Sequence, residues 1–312
     1  MTARVLVTPR SLTSAGLDAV AELAPLRDAG FALVPGPAGR TPTEAEQLAL
    51  VPGCVGWLAG VEPIGARVLA AATDLRVISR NGSGTDAIDT AAAARAGIRV
   101  LRAEGANAQG VAELALALAL AGLRHVPWSA AALRAGGWDR HPGRELDECR
   151  VGVVGLGAIG ARVARLFRGL GADVVGTDPV VDPATAPVPV VTLDALLATC
   201  DVVTLHAPPA ADGRPLLDAD RLAGVRRGAV LVNTARAALV DDGAVLAALD
   251  DGRLAAYAVD AFETEPPELT PLLRHERVVA TPHVGGFTGA SVRRATAQAV
   301  ENLIAALTEV RA

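Results

Sequence analysis

The chain has no lysine, and all 29 of its basic residues are arginine. That excludes mechanisms that turn on a lysine amine, such as Schiff-base formation or the phosphate-binding lysine of a P-loop. Basic charge is outweighed by 34 acidic residues, giving a net charge of -5. A general nucleic-acid binder needs a basic surface for phosphate contacts, so no nucleic-acid partner is expected and a small-molecule partner is. Cysteine is limited to Cys54, Cys149 and Cys200, whose spacing matches neither a zinc site nor a paired disulfide framework. Free thiols in a reducing cytoplasm, and no metal, are the expectation. Long apolar runs are also missing. Met1 to Val7 starts like a strand and lacks the apolar core of a signal peptide. Val111 to Leu123, the most apolar stretch, is interrupted by Glu113 and falls short of the roughly 20 residues that cross a bilayer. It reads as a buried helix, with no membrane partner.

What is present suits two cores, since 312 residues, 51% of them hydrophobic, exceed what one core usually organises. Short β-branched runs alternate with Ala/Leu-rich helical stretches, the pattern of an α/β chain with doubly wound parallel sheets. A first set of strands covers Val5–Val7, Gly56–Leu58, Val77–Ser79 and Ile98–Val100, with helical segments such as Pro63 to Ala72 between them. A second set covers Val151–Val154, Asp173–Gly176, Val202–Leu205, Val230–Asn233, Ala256–Val259 and Val278–Ala280. Six regularly spaced strands suit a dinucleotide-binding sheet. Between the sets, Asn107 opens a helix through Leu123, and the stretch to Arg150 shows no clear period. Its Trp128 and Trp138 read equally as a contact surface or as loop packing. Pro179 to Pro189 is a connector, and a final helix, Ala290 to Val310, has no further strand to serve and could return to the first domain.

The strand at Val151–Val154 runs directly into Gly155-Leu156-Gly157-Ala158-Ile159-Gly160 and then a helix, Ala161 to Leu170. This is the G-x-G-x-x-G fingerprint in its required context. Gly155 permits the tight turn, Gly157 lets the backbone approach a pyrophosphate, and Gly160 lets helix and strand pack closely. Asp178 ends the next strand, where an acidic side chain bonds the adenosine ribose hydroxyls. That favours NAD over NADP. The competing reading of Asp178 is a turn residue ahead of Pro179.

Three consecutive strands of the second set each end in a side chain suited to acid-base work. Val230–Asn233 leads to Arg236, Ala256–Val259 leads to Asp260 and Glu265, and Val278–Ala280 leads to His283. Ligands of doubly wound sheets bind beyond the carboxyl ends of the strands, so these groups can converge. Hydride addition to a 2-keto acid leaves an alkoxide that needs a proton, for which histidine is best tuned near neutral pH. His283 is the expected general acid, Glu265 the carboxylate behind its imidazole, and Arg236 the clamp on the substrate carboxylate. Taken singly, each would read as a surface ion pair or a structural histidine.

With these residues in view, nearly the whole chain resembles the D-2-hydroxyacid dehydrogenases, especially their phosphoglycerate dehydrogenase branch. The resemblance is carried by Ser79-Arg80-Asn81-Gly82-Ser83-Gly84-Thr85-Asp86, by Asn107 with Val111-Ala112-Glu113, and by Trp138-Asp139-Arg140. It continues in His206-Ala207-Pro208, Asn233-Thr234-Ala235-Arg236, Asp260 through Pro266, and Thr281-Pro282-His283-Val284-Gly285-Gly286. It implies a Rossmann-type NAD domain, 102–286, and a smaller flavodoxin-like substrate domain, 1–101 with 287–312. It implies the Arg236, Glu265, His283 triad, and a substrate carboxylate held by the amides of Ser83 and Gly84 with Arg80 nearby. The cofactor contacts it implies beyond the glycines and Asp178 are Ala158, Ile159, His206, Ala207, Pro208, Thr234, Ala235, Asp260 and Gly285. A homodimer built around 107–150 is implied as well.

Several positions depart from the family's pattern. Ala237 and Ala238 stand where glycine usually follows the catalytic arginine, and Ser83 replaces the more usual valine or threonine. The arginine that phosphoglycerate dehydrogenases often carry near Leu58 is missing, which leaves Arg80, with help from Arg140 of the partner subunit. Because 29 residues follow His283, a serine-sensing domain is not expected. The activity implied is hydride transfer between NAD(H) and C2 of a small 2-hydroxy or 2-keto acid, with 3-phosphoglycerate one candidate. A glyoxylate or hydroxypyruvate reductase, or a dehydrogenase of a phosphonate analogue, is the runner-up. Glu265 speaks against a formate dehydrogenase. An NAD-sensing corepressor that binds peptide motifs is the alternative outside enzymes.

Overall fold

In the computed structural model, residues 2–309 are described. Met1 and 310–312 lie outside them, and with them the expected helix end at Val310 and the outermost domain limits. The strands are β1 (Arg4–Val7), β2 (Ala32–Pro35), β3 (Cys54–Ala59), β4 (Val77–Arg80), β5 (Arg99–Arg102), β6 (Arg150–Val154), β7 (Asp173–Thr177), β8 (Val202–Leu205), β9 (Ala229–Asn233), β10 (Leu254–Val259) and β11 (Val278–Ala280). They form two sheets, ordered β2-β1-β3-β4-β5 and β11-β10-β9-β8-β6-β7, with every pairing parallel. Parallel sheets are covered on both faces, which explains why their central strands read as nearly unbroken apolar runs. Both sheets are doubly wound, as expected.

The chain divides into two compact units, one made of the residues up to Asn107 together with those from Gly289 onward, the other of Ala108–Thr288. In the first unit, the two-residue period of a strand sends Leu6, Trp57 and Ile78 to one face, where they pack with Val68 and Leu69. Val5, Val7, Leu58 and Val77 face the other way, against Ala299, Val300, Leu303 and Leu307 of the final helix, Gly289–Glu309. The edge strand β2 was not among the expected strands. It is half-buried with no apolar alternation and ends in proline, so period gives no sign of it. The boundary also falls later than the expected 101/102, because Ala103 donates to Gly82 O at 3.0 Å and packs with Ala106 and Ala295.

In the second unit, Val151, Val153, Val230, Val232, Ala256 and Ala258 face a helix at Ala108–Leu123 and another at Gly160–Gly169. Gly122 lets the first of these sit close to the sheet, since a Cβ there would come within 2.9 Å of Val230 Cγ1. The opposite face packs Val203, Leu205, Leu231, Tyr257 and Val259 against Leu196, Val245 and Leu249. The stretch without period contains a helix, Val126–Arg134, that buries none of its residues. Trp128 donates its indole N–H to Glu276 O, whereas Trp138 is 76% exposed. The three cysteines are free and buried. No single described helix is long and apolar enough to cross a membrane.

Candidate active site

Because β6, β8, β9, β10 and β11 are parallel and follow one another across the sheet, their carboxyl ends line one edge. The chain crosses from β7 on one side of β6 to β8 on the other, so the switch point, where doubly wound sheets open a crevice, lies between β6 and β8. The glycine fingerprint sits there. Gly155 has φ +87°, and a Cβ on it would strike the His206 carbonyl at 2.7 Å. A Cβ on Gly160 would come within 1.8 Å of Gly155 O. Those two glycines are therefore demanded by the protein's own backbone. Gly157 is different, since a Cβ there would meet nothing within 4 Å. The helix beginning at Gly160 has no acidic residue in its first turn and no side-chain cap, so its amides and positive dipole end are open to an anion.

Asp178 follows the end of β7 and accepts from the glycine loop through Leu156 N at 2.8 Å, and from Val180 N and Val181 N at 2.8 and 3.1 Å. Burial works against its ionised form, but these backbone donors outweigh it and hold the carboxyl below its ordinary range. At the ends of the neighbouring strands, His206 and Thr234 each carry a buried polar atom, Nδ1 and Oγ1, that has no partner among the described residues. Unpaired buried polar atoms are costly, and two of them at adjacent strand ends suit a polar ligand. Burial pushes the His206 imidazole down to about 3, so it is neutral, and its Nε2 pairs with Thr204 Oγ1 at 2.8 Å. A dinucleotide fits this set. Gly155, Gly157 and Gly160 would make its cradle and Asp178 would face its ribose, while Ala158 and Ile159 lead into the helix and Ala207 and Pro208 continue from His206.

The triad lies on three adjacent strand ends of the same unit. At the end of β9, the fully buried Asn233 shapes the turn that delivers Arg236, accepting from Ala235 N at 3.1 Å and donating to Arg236 O at 2.9 Å. Ala237–Leu239 then form a short 3-10 turn. Among the described residues positive φ occurs outside glycine only at His125 and His283, so Ala237 and Ala238 fit where the family's pattern has glycine without backbone strain. Arg236 Nη1 donates to Ala235 O at 2.8 Å.

His283 stands two residues after Thr281, where β11 has ended, with φ +51°. Its Nδ1 lies 2.5 Å from Glu265 Oε1, and both side chains are close to half exposed, at 49% and 42%. Asp260 explains how the histidine holds a strained backbone. This carboxylate, 1% exposed, accepts from Thr281 Oγ1 at 2.6 Å, Val284 N at 2.9 Å and Gly285 N at 2.8 Å. It clamps the loop on both sides of His283. Glycine at 285 suits that approach, since a Cβ would stand only 3.0 Å from Asp260 Oδ2. Sequence reasoning placed Asp260 and Gly285 among the cofactor contacts, and the structure gives both a scaffold role. It missed Asn233 and Thr281, whose only signal was a polar residue closing an apolar strand.

The remaining candidates belong to the first unit. Ser83 and Gly84 are half-buried in the loop after β4. Arg80 closes β4 and turns back on that loop, donating from Nη1 to Asn81 O at 2.6 Å. A Cβ on Gly82 would strike the same guanidinium nitrogen at 2.7 Å.

Comparison with known proteins identifies the family. Residues 116–285 match the D-isomer specific 2-hydroxyacid dehydrogenase NAD binding domain. The chain is 40% identical to the D-3-phosphoglycerate dehydrogenase of Mycobacterium tuberculosis strain H37Rv over 249 residues, 78% of this chain and 47% of that protein. It thus spans about half the length of that relative. It is 35% identical to the hydroxypyruvate reductase of Thermotoga maritima, covering 76% of this chain and 79% of that one. Among solved structures, the TT0316 protein of Thermus thermophilus superposes with a TM-score of 0.86 at 37% identity, over 98% of this chain and 97% of that one.

Proposed function

The chain belongs to the D-isomer specific 2-hydroxyacid dehydrogenases, and on that premise we propose that it interconverts a small D-2-hydroxy acid and its 2-keto acid with NAD(H). The observation that carries this reading is the contact of His283 Nδ1 with Glu265 Oε1 at 2.5 Å, made beyond the two strands that follow β9 and Arg236 in the sheet. The loop of Gly155, Gly157 and Gly160 would hold NADH, which when bound would supply the hydride. Arg236 pairs with the substrate carboxylate and draws charge from the keto oxygen, which stabilises the alkoxide as it forms. Glu265 takes the Nδ1 side of the imidazole, fixing its orientation so that Nε2 carries the proton toward the substrate. His283 gives that proton to the alkoxide on reduction and takes it back on oxidation.

A homodimer is part of the same reading, supported by the exposed apolar side chains beyond Leu123, among them Val126 at 54%, Leu133 at 60% and Trp138 at 76%. So is a cytoplasmic location, which suits three unpaired thiols. The experiment is NADH oxidation against glyoxylate, pyruvate, hydroxypyruvate and phosphohydroxypyruvate, with His283→Ala alongside. Turnover of at least one acid, cut roughly 10²–10⁴-fold in the variant, is expected. Wild-type protein inert toward all four, or a variant as active as wild type, would contradict the proposal.

A further inference from the structure

One arginine at the carboxyl edge of the first unit has no task in the site described above. β1 ends at Val7 and continues through Thr8 and Pro9 into Arg10. The strand order β2-β1-β3-β4-β5 carries the chain from one side of β1 to the other, so the switch point of this sheet lies between β1 and β3, and Arg10 leaves from it. The departure point is rigid. Thr8 N donates to Leu58 O at 3.1 Å, and the buried Thr8 hydroxyl accepts from Trp57 Nε1 at 2.8 Å and bonds Glu62 Oε1. That carboxylate oxygen also takes Gly60 N at 2.9 Å. A Cβ on Gly60 would approach Pro9 Cα to 3.0 Å, and one on Gly36 would approach Thr8 Cα to 3.1 Å. The ends of β1, β2 and β3 are therefore locked around Thr8 and Pro9.

Arg10 itself is exposed and makes no side-chain hydrogen bond or ion pair among the described residues. The other arginines at this edge are engaged. Arg80 bonds Asn81 O, as above, and Arg102 pairs with Glu104 at 2.7 Å. β3 offers no cation, closing on Leu58, Ala59 and Gly60, and Glu62 is 1% exposed and turned toward Thr8 and Gly60. β1 stands two strands from β4, about 10 Å at the usual spacing. A three-carbon acid with a terminal phosphoryl group and one arginine side chain bridge that distance together.

We infer that Arg10 determines substrate specificity by gripping a dianionic group, a phosphate ester or a phosphonate, on C3 of the 2-keto acid. The inference rests on the dehydrogenase reading and on a substrate carboxylate held by the loop of Ser83 and Gly84. The guanidinium offers the bidentate fork that suits such a group. The test compares wild type with Arg10→Gln and Arg10→Lys on phosphohydroxypyruvate, 3-phosphonopyruvate and hydroxypyruvate, with NADH in excess. Arg10→Gln should lower kcat/KM for the anionic acids by roughly 30-fold, mainly through KM, while hydroxypyruvate changes less than threefold and Tm stays put. Arg10→Lys should recover part of the loss. The larger loss identifies ester or phosphonate. Equal changes on all three acids, or none, with the wild type active on hydroxypyruvate, would overturn the Arg10 assignment and leave the dehydrogenase reading intact. Inactivity of the wild type on every keto acid would overturn both.

Discussion

Replacing Asp260 by Asn tests whether the catalytic loop is held by one buried carboxylate. The carboxylate accepts three hydrogen bonds, at 2.6, 2.9 and 2.8 Å, from residues on both sides of His283. A hydrogen bond to a charged acceptor contributes about 1.5–3 kcal/mol, and a buried donor left unpaired costs about 1–3 kcal/mol. Asparagine keeps one accepting oxygen and turns an NH2 toward at least one of these donors. The local loss should therefore be about 3–5 kcal/mol, in the range for breaking a buried charged network. The positive φ of His283 would then be free to relax, and a misplacement of about 1 Å can cost roughly 10²-fold in rate. Thr281→Val removes the 2.6 Å bond to Asp260 together with the long 3.5 Å contact to Val259 O, leaves the two backbone bonds to the carboxylate, and should cost about a third as much. Thermal unfolding and kcat for the preferred keto acid measure both effects. An Asp260→Asn protein with unchanged Tm and kcat within threefold of wild type would refute the clamp.

Three further outcomes follow from the same geometry. His206 is protonated in the unfolded chain below its ordinary value of 6.5 but stays neutral when folded down to about 3. Its depressed folded value means that stability is lost as pH falls between those two, by about 1.4 kcal/mol per unit. His206→Gln should thus lose about 1.4 kcal/mol less than wild type between pH 7.5 and 5.5, read by urea denaturation, and parallel losses would contradict the burial. Asp178→Ala should weaken NADH use and raise the NADPH to NADH preference, since it removes both the ribose acceptor and a negative charge facing a 2'-phosphate. Identical constants for both cofactors would remove Asp178 from the site. Arg236→Lys should keep NADH binding, measured by fluorescence titration, yet lose at least tenfold in kcat/KM, because a point charge does not reproduce the guanidinium fork. Near-normal turnover would make Arg236 structural.

Much of this molecule is legible before any coordinates, because parallel sheets and dinucleotide loops depend on local patterns. Apolar runs such as Val151–Val154 report strands buried on both faces, and glycines at 155 and 160 stand where the backbone leaves no room for a side chain. The triad is legible because each member follows an obvious strand. β2 and the helix at Val126–Arg134 escape, since neither buries a regular face and period reports only burial. The scaffold role of Asp260 and the bonding of Asn233 escape for another reason. A polar residue closing an apolar strand can face a ligand or its own loop, and only the three-dimensional position of the donors decides. Arg80 shows the same limit, for its place at the end of β4 suggests a substrate contact while its guanidinium bonds Asn81.

The pairing of His283 with Glu265 carries the functional account, and a double-mutant cycle on keto-acid reduction, built from His283→Ala, Glu265→Gln and the double variant, tests it most directly. The Glu265 carboxylate 2.5 Å from Nδ1 orients the imidazole that gives its proton to the substrate. The account predicts strongly non-additive losses in kcat, with Glu265→Gln costing little more once His283 is gone and NADH affinity unchanged throughout. Fully additive losses would contradict it and leave His283 without its partner.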